Sequence, residues 1–260
     1  MGRAAGWLSG PAIQAGLPAV PVLAGAGAWE VLGWTLHLPA IPPLSTVLRA
    51  TWALAQQGEF LVLGDSLRHL VLGLGISLVG GLATAALLVL SRRLQWLLLP
   101  YVNAAMALPM VAFVPIFILA FGFRSGPRLA TIVAFSYFSI VVNTFAGARA
   151  VDAELLEMAA AMGCSPVRTF LSIRFPAALP LIMEGITLGV GRGIIGMVTG
   201  EYLVATTGIG GLLLTFAQNY RLPELYGGVL VILAFSVTVY LLLHGLAVRV
   251  TAWSTGSLTP

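Results

Sequence analysis

Long apolar runs almost free of charge dominate this sequence, and they leave few folds open to it. Six of them match the ~20 residues that a helix needs to cross a ~30 Å hydrocarbon layer at 1.5 Å per residue. They lie at about Leu17–Leu36, Leu67–Leu90, Leu97–Phe121, Leu129–Ala148, Leu181–Leu203 and Gly228–Leu246. Hydrophobic residues make up 59% of the chain and charged ones 8%, against about 25% charged in an ordinary soluble domain. That is too little charge to cover a water-facing surface, so the solvent for most of the chain is lipid. The expectation is an all-α polytopic membrane protein, with residues 1–260 forming one transmembrane domain of six helices. The first run follows Arg3 but contains Pro18, Pro21 and Glu30, with no clear small-residue cleavage site after it. It reads as a retained span.

The same composition excludes several chemistries. All 13 basic residues are Arg, and a P-loop needs a Lys to reach the phosphates. Any ATP chemistry therefore belongs to a partner. The single Cys164 rules out an intrachain disulfide or a cysteine cluster for metal. His37, His69 and His244 are scattered without metal-ligand spacing, and no nucleophile stands near a base in the sequence. The chain is expected to be neither an enzyme nor a holder of cofactor or metal. Its net charge of +4 is spread between apolar runs, as at the ends of membrane spans, and gives no reason to expect nucleic acid.

Arg placement suggests an orientation. With both termini cytoplasmic, Arg3, Arg92, Arg93, Arg149, Arg168, Arg174 and Arg249 lie inside, and Arg49, Arg68, Arg124, Arg128 and Arg221 outside. This is a mild positive-inside bias. After Ile41-Pro42-Pro43-Leu44, Ser45 can cap a helix with Val47, Leu48, Trp52 and Leu54 on its apolar side, read as an interfacial helix on the outer face. Gly73, Ser77 and Gly81, and again Gly185, Gly189 and Gly193, recur every four residues. That spacing lets helix backbones approach closely in lipid, within a bundle or in a dimer. Pro100, Pro109 and Pro115 predict a kinked third span.

The stretch 149–180 breaks the apolar pattern. Asp152 can cap a short helix through Leu155, Leu156, Met158, Ala159 and Met162, and Gly163 suits the left-handed residue after it. Ser165 and Pro166 open a second helix with Val167, Phe170, Leu171 and Ile173 on one side, which Pro176 is expected to end. This hairpin, about 150–176, is too polar for lipid, and its apolar stripe suits a groove on a partner.

Here the chain resembles a known family. The permeases of binding-protein-dependent ABC importers carry Glu-Ala-Ala, three residues, Gly, nine residues, Ile, one residue, Leu-Pro between spans. This sequence places Glu157, Met158, Ala159, Gly163, Ile173, Phe175 and Pro176 at those positions, with Met158 and Phe175 departing from the pattern. The stretches 108–122, 142–147 and 200–212 look like the nitrate, sulfonate and taurine branch, which includes permeases for thiamine precursors and riboflavin. The resemblance implies a type I importer permease in the bacterial cytoplasmic membrane. It also implies a homodimer served by two cytoplasmic ATPase subunits, which hold ATP and Mg, and by an external substrate-binding protein. The seven motif residues would couple to the ATPase, with Glu157 making polar contacts there. The cargo would be a small anion, nitrate-, sulfonate- or taurine-like, or alternatively a vitamin-type molecule, a thiamine precursor or riboflavin. An ion-coupled secondary transporter is the reading from another class, but no internal repeat supports it.

Charges within spans are costly and usually face protein or water. Arg192 either attracts an anion in a cavity or pairs with Glu30, Glu184 or Glu201. Asn143 either lines the pathway or bonds another helix, and Glu201 is a further pathway candidate. The loop Ala205–Gly211 follows no strand, so it is not a phosphate loop. It is expected to be a compact turn near the outer gate.

Overall fold

The structure is a computed structural model and describes residues 19–36, 38, 40–204 and 207–252. Arg3, residues 17 and 18 of the first run, His37, and Ala205 and Thr206 of the glycine-rich loop lie outside the described residues. Among the described residues there is no strand. The helices are α1 (Ala19–Leu36), α2 (Leu44–Gln56), α3 (Leu63–Leu90), α4 (Arg92–Ala107), α5 (Val114–Phe121), α6 (Ser125–Arg149), α7 (Ala153–Ala161), α8 (Pro166–Thr169), α9 (Phe175–Val204), α10 (Gly208–Gln218) and α11 (Leu222–Val250). Four continuous stretches are long and apolar enough to cross a membrane: Glu59–Leu90, Ser125–Arg149, Pro166–Val204 and Leu222–Val250. The described part of the first run is a shorter apolar helix.

The third run is not a kinked helix but a corner. α4 and the segment Met110–Phe121 meet at 98°. Leu108 is extended, at φ −74° and ψ 141°, as the residue before a proline prefers, and Pro109 has no N–H to continue the ladder. Pro100 sits inside α4 and Pro115 in the first turn of α5, where neither breaks the chain's direction.

The contacts fall into two units. In the larger one (Leu61–Leu214 and Val231–Pro260), α3, α6 and α9 pack along their lengths. Gly73 and Gly81 of α3 lie against Ile132 and Ile140 of α6, and between them Ser136 donates a 2.7 Å hydrogen bond to Ser77. On the other side of α6, Gly185 meets Asn143, Gly189 meets Ile140, and Gly196 meets the Thr131 carbonyl. Gly193 faces Leu74 of α3. Both small-residue stripes thus serve helix contacts within the chain. Packing at these points replaces the hydrophobic drive that lipid does not supply.

In the smaller unit (Met1–Phe60 and Thr215–Leu230), Gly33 of α1 lies against Pro42 and Pro43, and the Trp29 indole donates to the Pro42 carbonyl at 3.1 Å. Ser45 does not cap α2: Pro43 holds that position and no side chain bonds there. Glu30 does the work instead, accepting from the Ser45 amide at 2.8 Å and from its hydroxyl at 2.7 Å. Val47 and Leu54 turn inward from α2 while Leu48 and Trp52 are exposed.

Candidate functional site

The hairpin forms through local signals. α7 closes with two backbone bonds, Gly163 N–H to the Ala160 carbonyl and Cys164 N–H to the Ala159 carbonyl, each 3.0 Å. This crossed pair requires a left-handed residue, and Gly163 has φ +73°. The Ser165 hydroxyl then accepts from the Arg168 amide at 3.3 Å, with Pro166 in the first turn of α8. Asp152 stands at the start of α7, but its side chain makes no capping bond.

Pro176 does not end the second helix. α8 passes into a wide π-type turn, Phe170–Arg174, and continues as α9 through to Val204. Pro176 occupies the second position of α9, where a missing N–H costs little. Phe170 and Ala178 pack with Ala148 and Ile182 to fix this junction, and Arg174 donates to the Ala148 carbonyl at 3.2 Å. The hairpin is therefore built directly onto the longest helix of the bundle.

Of the seven motif residues, Ala159 is buried, Glu157, Met158, Gly163 and Phe175 are exposed, and Ile173 and Pro176 are half-buried. Leu155, Met162, Val167 and Leu171 are also exposed, Met162 by 77%. A short segment that turns this many large apolar side chains outward presents a surface, not a core.

At the other end of α6 and α9 lies a polar cluster. Glu201 is fully buried. One of its carboxylate oxygens accepts from the Ser66 hydroxyl at 2.9 Å and from the Gly210 amide at 3.0 Å. The other has no hydrogen-bond partner among the described residues. Ser66 also accepts from the Ile209 amide at 2.9 Å. Beside them Arg128 bridges Asp65 at 2.8 Å and Thr207 at 2.7 Å, and Thr207 donates to Asp65 at 3.0 Å. So the loop after α9 is held at Thr207, Ile209 and Gly210 by side chains from α3, α6 and α9.

Sequence reasoning named Glu201 but missed Asp65, Ser66, Arg128 and Thr207. The signal was present. Asp65 lies two residues before one expected span, Arg128 directly before another, and Glu201 near the end of a third. The expected six-crossing alternation would place all of them on one side of the membrane.

Arg192 pairs with none of Glu30, Glu184 or Glu201, and makes no ion pair among the described residues. It is exposed in a cavity of about 250 Å³ lined by Met106, Leu108, Met110, Phe135, Phe138 and Ile195. Asn143 donates to the Ser139 carbonyl of its own helix at 2.8 Å and packs on Gly185. The structure thus leaves Arg192, Glu201 and Asn143 apart, in three different surroundings. No group of three or more metal-ligating side chains occurs among the described residues.

Residues 76–253 match the family described as "Binding-protein-dependent transport system inner membrane component". Among curated relatives, a probable ABC transporter permease protein of Haemophilus influenzae is 29% identical, over 67% of this chain and 71% of the relative. The formylaminopyrimidine transport permease protein ThiX of Halalkalibacterium halodurans is 30% identical, over 70% and 73%. A putative aliphatic sulfonates transport permease protein, SsuC of Bacillus subtilis, is 28% identical, over 87% and 80%. The chain belongs to the binding-protein-dependent transport system inner membrane component family and is an ABC transporter permease.

Proposed function

We propose that the chain is the transmembrane permease of an ATP-driven importer that carries a small anionic solute across the cytoplasmic membrane by alternating access. The observation that carries this reading is the hairpin. It turns Met158, Met162, Val167 and Leu171 outward and continues without interruption into α9. Two permease copies pair in the membrane with both termini cytoplasmic. Each hairpin docks in a groove on an ATPase subunit, Glu157 making polar contacts and Gly163 setting the turn. ATP and Mg belong to that subunit. Its closure moves the spans as rigid bodies, and an external binding protein delivers the cargo.

The anionic cargo rests on Arg192. A charge at mid-bilayer costs about 2.5–3.5 kcal/mol on insertion scales, and no carboxylate neutralises this one among the described residues. An exposed guanidinium in a cavity attracts an anion. The relatives named for sulfonates support such a cargo. Those named for formylaminopyrimidine and riboflavin support a vitamin-type cargo as the second reading.

Co-purification and uptake test the function. A soluble ATPase should co-purify with the wild-type protein, and Glu157→Arg should abolish ATP-driven uptake with the fold intact. Unimpaired uptake in that variant would remove the docking role. Arg192→Gln should lower uptake of an anionic cargo about tenfold while leaving ATPase binding unchanged. Equal uptake by both proteins would remove Arg192 as the anion site.

A further inference from the structure

We propose that Glu201 is a positioning residue. It fixes the start of α10 to the tip of α9, so that movement delivered at the hairpin reaches the far end of the bundle without passing through a hinge. This rests on the ATP-driven permease reading.

The first amides of any helix lack partners within it. In α10 two of these amides are satisfied from outside, Ile209 by Ser66 of α3 and Gly210 by Glu201 of α9. The carboxylate also favours the positive end of the helix dipole. Close fit reinforces the bonds. Gly208 has φ +86°, and a side chain there would run into the Glu201 carboxylate. A side chain at Gly210 would meet the Val198 carbonyl. Thr207 is held by Arg128 and Asp65. Four successive residues are thus fixed to three helices.

Two of those helices, α6 and α9, are also tied at the other end. From Phe175 to Glu201, α9 is unbroken, a rise of about 39 Å at 1.5 Å per residue. α6 runs beside it from Arg128, which grips Thr207, to Ala148, which accepts from Arg174 at the hairpin junction. Close contacts at Gly185, Gly189, Gly196 and Gly200 hold the pair together at near-backbone distance along this length. If the start of α10 swung away on its own, the fully buried Glu201 carboxylate would lose the Gly210 amide and keep only the Ser66 hydroxyl, a loss that the surrounding apolar protein penalises. The structure therefore assigns the α9–α10 junction to the lever, not to a separately opening flap.

The test uses the complete transporter, with ATPase and binding protein, in liposomes. Glu201→Ala should lower uptake about tenfold or more while ATP hydrolysis and assembly persist, because the motor still turns but its far end is loose. Glu201→Gln keeps an oxygen for both donors and should restore coupling. In a Cys164→Ser background, Asp65→Cys with Thr207→Cys allows the junction to be cross-linked at two accessible positions. Uptake after oxidation should equal uptake by the same protein after reduction. Cross-linking that stops uptake, with recovery on reduction, would show that the junction must part and would overturn the proposal. So would normal uptake in Glu201→Ala. If Glu201→Ala does not assemble, the cross-link decides alone. Uptake by the unmodified protein that needs no ATP would instead overturn the importer reading, and the lever with it.

Discussion

The two ends of the α6–α9 pair are built on opposite principles. At the hairpin, backbone bonds between near neighbours set the shape, and the large apolar side chains face outward. At the Glu201 end, side chains set the shape across great distances in sequence, Ser66 to Glu201 and Asp65 to Thr207, and the charged groups face inward. On the proposed reading, the hairpin is completed by something outside the chain. The junction is completed by the chain itself. A surface made to be gripped tolerates substitution in the folded state and fails in partnership. A junction made to grip itself registers substitution in its own thermal stability, even where assembly persists.

Substitutions can break that contrast or sharpen it. The largest effect is expected from Gly163→Pro. Proline holds φ near −65° where this residue needs +73°, and it removes the N–H that closes α7. ATP-driven uptake should vanish while circular dichroism and the elution of the solubilised protein stay unchanged. A variant that unfolds would place the hairpin among the structural elements and erase the contrast.

Next comes Gly208→Ala, which combines a left-handed backbone with a collision at Glu201. The backbone term alone is worth about 1–2 kcal/mol. The melting temperature in detergent should drop by several degrees before any assay with the ATPase is made. An unchanged melting point would show that the junction is looser than its contacts indicate.

Met162→Gln should do the reverse. The side chain is exposed, so thermal stability should hold, while affinity for the ATPase falls about tenfold, or 1.4 kcal/mol. Equal affinity would remove Met162 from the docking surface. The smallest effect belongs to Asp65→Asn. The replacement can still accept from Arg128 and Thr207, and Asp65 is itself partly open to water although the Arg128 side chain is buried, so two retained hydrogen bonds and solvent on the Asp65 side soften the loss of charge. Thermal melting should shift by only a degree or two.

What was legible in the sequence follows the same division. The long apolar runs and the hairpin are local, so periodicity and turn chemistry reveal them. Gly163 and Ser165 act within a few residues of themselves, and both do what their types suggest. Asp152 shows the limit, since a capping residue type can stand at the right place and still make no bond. Pro176 shows another. A proline ends a helix only where its missing N–H is needed, and the π-type turn before α9 removes that need. The roles of Glu30 and Glu201 depend on which distant amides reach them, and no spacing rule encodes that. Both looked like charges in search of an Arg, and both instead accept from the amides of a short helix.

The right-angled corner at Leu108–Pro109 has a consequence for where the oil ends. A helix that turns through 98° leaves backbone groups that hydrocarbon cannot satisfy. Leu108 and Met110, on either side of the corner, border the same cavity as Arg192. Two features that acyl chains reject, an interrupted helix ladder and a guanidinium with no ion pair among the described residues, therefore border one cavity. Such a patch calls for water or another protein beside it, and the lipid boundary would run around it.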